Sequence, residues 1–395
     1  MYLTREEERM LAGEYGYAAQ KAMEILVALG KVYGAERMIE IKSAQVSGVS
    51  YKNIGDEGLE FLLELAKDGR VRVPTTLNPC GMDLERWREL GIPEDFAEKQ
   101  VKVIEAYLKL GIKATLTCTP YLAGNLPKFG EHIAWSESSA VIYANSVIGA
   151  RTNREGGPSA LAAAIAGRTP LYGLHLDENR IPTVEVSTPD LTREYEYAVL
   201  GYLVGRIVGD GIPLFRGLKL TSPDQLKALG AGLACAGGVA LFHVKGVTPE
   251  AIGNRGMKAE EKIEVTRSEL EEEAAKLNDE SIEPDLIFIG CPHSSIEQIT
   301  AFYSLLKERP VAKRTWIFAS RAVRDQAREI GLLDKLKKLG VEIICDTCPI
   351  VAPIREMGIK SIATNSAKGA YFSRNLNKLK VKFKPLEELV EEAVR

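Results

Sequence analysis

Beyond Pro284 the chain alternates between short apolar runs and amphipathic stretches, and this alternation limits the fold more than any other feature. Residues 286–289, 315–319, 341–345, 361–364 and 381–383 read as strands. Residues 295–307, 321–330, 333–339 and 367–374 carry the period of helices, and a terminal helix follows. Strands rich in β-branched and aromatic residues, separated by helices, pair in parallel, with helices on both faces of the sheet. The earlier part of the chain repeats the pattern less regularly. Strands are expected at 38–46, 71–77, 112–118, 171–176, 183–186, 214–217 and 239–244. Helices are expected at 3–14, 16–32, 57–67, 95–110, 158–166, 192–208 and 224–235, with a solvated Glu/Lys-rich helical segment over 248–283. The reading is an α/β protein with mostly parallel sheets, divided at 1–212, 213–283 and 284–395.

With 395 residues the chain can bury a large core. Lys and Arg number 51 against 54 Asp and Glu, a net charge of −3, so neither nucleic acid nor an anionic membrane is an expected partner. The charged start is unlike a secretory signal. The longest apolar stretch, 228–242, is too short and glycine-broken for a membrane span. A cytoplasmic location is the expectation. Abundant Lys and Glu beside scarce Gln lean towards a thermophilic source.

Six cysteines do not make a disulfide scaffold in so long a chain. Three of them, Cys118, Cys291 and Cys348, each close an apolar run and precede proline by one or two residues. Ligands of open α/β sheets bind beyond the carboxyl ends of the strands, where thiolates could reach a metal. A cubane iron–sulfur cluster normally takes four cysteines, and three would leave one iron open as a Lewis acid. The competing reading is three small buried hydrophobes. Cys345 and Cys348 also form a C-x-x-C pair, but it ends a strand instead of opening a redox helix. Cys345, inside its apolar run, reads as core. Cys235 lies in the glycine-rich stretch 230–238, which fails the dinucleotide fingerprint and reads as close helix packing. Cys80 closes a strand in a polar turn. Of four histidines only His293 neighbours a cysteine, so zinc has little support.

Two turns after strands, Ser47-Gly48-Val49-Ser50 and Asn78-Pro79-Cys80-Gly81, could offer N–H groups to a carboxylate or phosphate, or be ordinary turns. Ser136 could cap a helix, or Glu137 and Ser138 could face a substrate. Lys368 follows Thr364-Asn-Ser-Ala at a helix start, which is either an anion site or a plain cap.

Taken together, Ser47-Gly-Val-Ser-Tyr, Asn78-Pro-Cys-Gly-Met-Asp, Thr117-Cys-Thr-Pro-Tyr, Ser136-Glu-Ser-Ser-Ala, Ala144-Asn-Ser, Gly149-Ala-Arg-Thr-Asn-Arg-Glu-Gly-Gly, Gly290-Cys-Pro-His and Asp346-Thr-Cys-Pro resemble the aconitase X family over essentially the whole chain. The resemblance implies an aconitase-like large part of about three α/β/α layered domains, with the swivel domain on a separate small subunit. It implies a [4Fe-4S] cluster with one open iron on Cys118, Cys291 and Cys348, with Cys345 a rival to Cys118. It implies substrate contacts from Gly48, Val49, Ser50, Asn78, Pro79, Glu137, Ser138 and Lys368. The implied activity is a hydro-lyase reaction on (R)-5-phosphomevalonate in isoprenoid biosynthesis, with cis-3-hydroxy-L-proline as the alternative substrate. The base would be a serine of the small subunit, unless Glu137 or Ser138 takes part in acid–base chemistry. A non-catalytic iron–sulfur or thiol-redox protein is the reading from another class.

Overall fold

A computed structural model describes residues 1–219, 221–254 and 256–395. Its three larger sheets are wholly parallel. The C-terminal sheet runs Val341–Ile344, Thr315–Ala319, Leu286–Ser294, Ser361–Thr364, Lys380–Phe383. A second sheet runs Thr75–Leu77, Ala44–Val46, Ala134–Trp135. A third runs His243–Val244, Pro213–Arg216, Val184–Ser187, Glu261–Glu264. The antiparallel pair Met38–Glu40 and Arg168–Pro170 stands apart.

The expected C-terminal alternation is present strand for strand. Elsewhere the structure corrects the reading. The run 38–46 is two strands in two different sheets. Residues 171–176 hold a short 3-10 turn, Gly173–His175, and no strand. Within 248–283 the chain forms helix Pro249–Gly253, strand Glu261–Glu264 and helix Arg267–Leu277, with Arg255 outside the described residues. Strands Val184–Ser187 and Pro213–Arg216 are paired neighbours, so one sheet continues across the division read at Pro213.

The segment 112–118 is not a regular strand. Its backbone bonds to its neighbour through Lys113 N–H to Thr75 O and Thr117 N–H to Leu77 O, both 3.0 Å. The Thr115 hydroxyl takes the Leu77 N–H at 3.2 Å, and Leu116 adopts a left-handed φ of 47°. A side chain in the ladder's place and a turned backbone both end strand geometry.

The glycine-rich stretch 230–238 is close packing, as its composition suggests. Helices Glu194–Val208 and Pro223–Ala236 cross through glycines: a Cβ on Gly201 would lie 2.1 Å from Leu229 O, and one on Gly232 would lie 2.6 Å from Ala198 O. Only glycine permits backbones to approach this closely.

Candidate active site

The C-terminal edges of two parallel sheets face each other, and the loops leaving them form the site. From the smaller sheet come Ser47–Ser50 after Val46, Asn78–Cys80 after Leu77 and Ser136–Ser138 after Trp135. From the C-terminal sheet come the loops after Ile289, Ile344 and Thr364. Cross-contacts lock the two together. Cys80 N–H donates to Asp346 O at 2.7 Å, and Ser50 Oγ donates to Val351 O at 2.8 Å.

Gln45, which sequence reading did not select, organises the first set of loops. Its Nε2 donates to Asn78 Oδ1 at 3.3 Å, and its Oε1 accepts from Glu137 N–H at 3.0 Å. With Oδ1 thus occupied, the Asn78 amide presents its NH2 elsewhere. Ser47 N–H is taken by Ser136 Oγ at 2.6 Å. The N–H groups of Gly48, Val49 and Ser50 have no acceptor among the described residues, and they lead into helix Tyr51–Leu65. A run of unpaired N–H groups at a helix start suits an anion. Gly48, at φ 77°, makes the turn possible. Pro79 follows Asn78 in the adjoining loop.

At the centre Lys368 and Glu137 form a buried ion pair. Lys368 Nζ also reaches Ser139 Oγ at 2.9 Å and Ser138 Oγ at 3.2 Å. Glu137 Oε2 accepts from Ala140 N–H at 2.7 Å and Ser139 Oγ at 2.6 Å, so Glu137, and not Ser136, caps helix Ser138–Tyr143. Burial opposes both charges. The Lys368 charge and the donated hydrogen bonds outweigh it for Glu137, holding its carboxyl below the usual range. The Glu137 charge and the neighbouring sulfurs likewise hold Lys368 above its ordinary value. Lys368 sits in the first turn of helix Ala367–Asn375, whose cap is Ser366, accepting Gly369 N–H at 2.9 Å. The helix-start reading of 364–369 therefore holds for the cap, while the lysine is committed to Glu137.

The cysteines divide by what their sulfurs do. Cys118 Sγ accepts His293 N–H at 3.2 Å. The Cys348 sulfur lies near the N–H groups of Val351 and Ile350, of which Val351 N–H donates to the Cys348 carbonyl at 3.2 Å, and the Ser366 hydroxyl beside Cys291 donates to the Cys291 carbonyl. Burial pushes all three thiols up, Cys291 to about 12, while these donors and the Lys368 charge act the other way. By contrast, Cys80 Sγ donates to Met82 O at 3.0 Å and Cys235 Sγ to Gly232 O at 3.3 Å. Cys345 is buried in the C-terminal core, facing Asp83, Asp346, Arg321 and Arg324. Sulfurs that accept hydrogen bonds near a cation are suited to thiolate ligands, and sulfurs that donate to carbonyls are not. Among the described residues no three His, Cys, Asp or Glu side chains converge on a single ion.

Backbone irregularity delivers these three residues. Ile289 pairs with Ile317 and Ser294 with Ala319, so residues 290–293 bulge out of the sheet opposite Phe318 alone. Gly290 starts the bulge at φ 97°, where a Cβ would lie 2.2 Å from Phe318 O. After Ile344 the chain turns at Asp346, φ 65°, whose carboxylate is gripped by Arg321.

His293 joins all three cysteine loops. Its ring Nε2 lies 3.0 Å from Thr347 O, so Nε2 carries the proton and Nδ1 accepts from Thr117 Oγ1 at 2.9 Å. Burial depresses its pKa to about 4 and keeps it neutral. Its carbonyl accepts from Lys227 Nζ at 3.2 Å. Sequence reading considered His293 only as a weak zinc ligand. Its position next to Cys291-Pro292 was the available signal, but its bonds to Thr117 and Thr347 exist only in the fold.

Three family models match in succession: Aconitase X first domain over residues 1–178, second domain over 182–275 and third domain over 284–395. The chain belongs to the aconitase X family. It is 50% identical to the phosphomevalonate dehydratase large subunit of Methanocaldococcus jannaschii, over 99% of this chain and 100% of that protein. It is 38% identical to the cis-3-hydroxy-L-proline dehydratase of Pseudomonas aeruginosa, over 98% of this chain but 69% of that one. The crystal structure of Thermococcus kodakaraensis aconitase X in its holo-form superposes with a TM-score of 0.93 at 50% identity, covering 100% of both chains.

Proposed function

We propose that this chain is the catalytic large subunit of a hydro-lyase that removes water from (R)-5-phosphomevalonate to give trans-anhydromevalonate 5-phosphate, a step of isoprenoid biosynthesis. The observation that carries the reading is the pattern of similarity combined with the site. Relatives named phosphomevalonate dehydratase large subunit are 42–50% identical over nearly their full lengths. The cis-3-hydroxy-L-proline dehydratases are 37–38% identical, and this chain spans about two thirds of them. That difference in length supports a separate small subunit carrying the swivel domain.

The sulfurs of Cys118, Cys291 and Cys348, near the Lys368 charge and not donating to carbonyls, fit an iron–sulfur cluster, which with one iron free of protein ligands would supply Lewis acidity towards the departing hydroxyl. The rest is the work of this chain's own groups. The N–H groups of Gly48, Val49 and Ser50 and the Asn78 amide, with Pro79 shaping the turn, hold the substrate carboxylate. The α-proton is weakly acidic, and negative charge builds towards that carboxylate as the proton leaves. Fixed N–H dipoles stabilise this charge without reorganising, and Lys368 contributes a hydrogen bond from within its pair with Glu137. Glu137 is held ionised, so near neutral pH it has no proton to deliver. Ser138, within reach of Lys368 and Glu137, relays a hydrogen bond to the same end of the substrate. The initial proton abstraction falls to a serine of the small subunit.

The test is anaerobic reconstitution of the chain with iron, sulfide and its small subunit, then assay against 5-phosphomevalonate and cis-3-hydroxy-L-proline side by side. Turnover of the phosphorylated acid by the complex, with none by the chain alone, is the expected result. Preference for hydroxyproline would overturn the substrate reading, and activity of the isolated chain would place the base on this polypeptide.

A further inference from the structure

We infer that Arg154 binds the phosphate end of the substrate, a role that rests on the proposed reaction but concerns a residue outside the catalytic pair and the sulfur ligands. The turn that carries Arg154 is held on every side. Thr152 N–H donates to Asn145 Oδ1 at 3.0 Å. Asn153 accepts from Leu174 N–H at 2.8 Å and donates to Tyr172 O at 3.1 Å. Glu155 N–H donates to Trp135 O at 3.1 Å, and its carboxyl takes the Ser159 hydroxyl at 2.6 Å, buried and turned inward. Gly157 abuts Ser47 O, where a Cβ would come within 2.5 Å. The turn is therefore clamped between the strand end that leads to Glu137 and the turn that carries Gly48.

Arg154 is exposed in this turn, as is Gly156, which has no side chain, and Arg154 makes no ion pair among the described residues. Its neighbours are committed: Arg151 to Asp177 and Arg180 to Glu250. The other cations at the site are also committed. Lys368 is neutralised by Glu137. Lys227 is bound to Asp224, Gln298 and the His293 carbonyl. Lys52 donates to Ala352 O and Asn377 Oδ1. The anchors at Trp135 O and Ser47 O place the turn between the Glu137 loop and the Gly48 loop.

The chemistry assigns the end of the substrate. The carboxylate and hydroxyl must meet at Glu137, Lys368 and the three sulfurs, where the reaction takes place. An uncommitted cation on a neighbouring rigid turn is left for the non-reacting dianion. Guanidinium presents paired donors that match phosphate oxygens.

The experiment compares Arg154→Ala and Arg154→Lys with wild type in the reconstituted two-subunit complex. Hydrogen bonds to charged groups predict a KM for 5-phosphomevalonate raised by about 10- to 100-fold in Arg154→Ala. The kcat should change less than about threefold, since that end does not react, and Arg154→Lys should recover part of the loss. Iron content and cluster absorbance should be unchanged in both variants. An unchanged KM, or a fall confined to kcat, would overturn the assignment. Calorimetry with inorganic phosphate on the chain separates this proposal from the reaction itself. If wild-type complex fails to turn over 5-phosphomevalonate, phosphate binding that is weakened in Arg154→Ala still supports the anion site. Equal phosphate binding by the two, or none by wild type, refutes it.

Discussion

Removing one member of the Lys368–Glu137 pair should cost more than removing both. Lys368→Met leaves Glu137 buried with its Ser139 and Ala140 hydrogen bonds but without its cation. Glu137→Gln leaves the ammonium with only serine hydroxyls. Breaking a buried pair from one side costs about 3–5 kcal/mol, because an uncompensated charge remains. The remaining hydrogen bonds to Glu137 put Lys368→Met near the lower end. The double variant removes both charges and should cost less than either single, below about 3 kcal/mol. The pH dependence carries the sign. The folded pKa of Glu137 is lowered, so its contribution is present above the unfolded value of about 4.3 and is lost as pH falls through the folded one. The folded pKa of Lys368 is raised, so its contribution is full below about 10.4 and is lost as pH rises through the folded value. Between those limits the wild-type contribution is flat. In Lys368→Met burial is left to push the carboxyl up, so the deficit should shrink as pH falls towards 5. The assay is urea unfolding of the metal-free chain at several pH values, for wild type, both singles and the double. Additive losses, or a Lys368→Met deficit independent of pH, would refute the idea that the pair acts as one buried unit.

The other predictions follow from the same contacts. Cys118→Ser, Cys291→Ser and Cys348→Ser should each abolish iron–sulfur absorbance after anaerobic reconstitution, while Cys235→Ser and Cys345→Ser keep it; loss in Cys345→Ser with retention in Cys118→Ser would reverse the ligand assignment. His293→Ala leaves the Thr347 carbonyl without its partner in a buried setting, at about 1–3 kcal/mol, while Thr117 keeps its bonds to Thr119, so the midpoint of unfolding should drop and iron should be lost faster to a chelator; unchanged iron release would mean that the ring does not tie the loops. Gly201→Ala would force a Cβ to within 2.1 Å of Leu229 O, and overpacking of this kind costs about 1–3 kcal/mol or more, read as lower stability with the cysteine loops intact.

The sequence by itself determined the layered α/β class and the C-terminal strands, because apolar runs of strand length between amphipathic helices leave few other ways to bury their surface. It also singled out Cys118, Cys291 and Cys348, whose position before proline is a local property. The close approach at Gly201 and Gly232 was announced by the glycines around Cys235. Local pattern failed where pairing is decided at a distance. The run 38–46 reads as one strand, yet its halves serve different sheets; 112–118 reads as a strand, yet Thr115 and Leu116 break its ladder. The pairing of Lys368 with Glu137 joins residues far apart in sequence, and it turned an apparently free anion-binding lysine into a neutralised one. Gln45 carries no motif, and His293 only closes Gly290-Cys-Pro-His. They matter because folding brings two sheet edges together, so that a single amide spans Asn78 and Glu137, and a single imidazole spans Thr117 and Thr347. Which donors and acceptors face which sulfur is likewise a property of the assembled edges, and it separates Cys118, whose sulfur accepts, from Cys80 and Cys235, whose sulfurs donate to carbonyls.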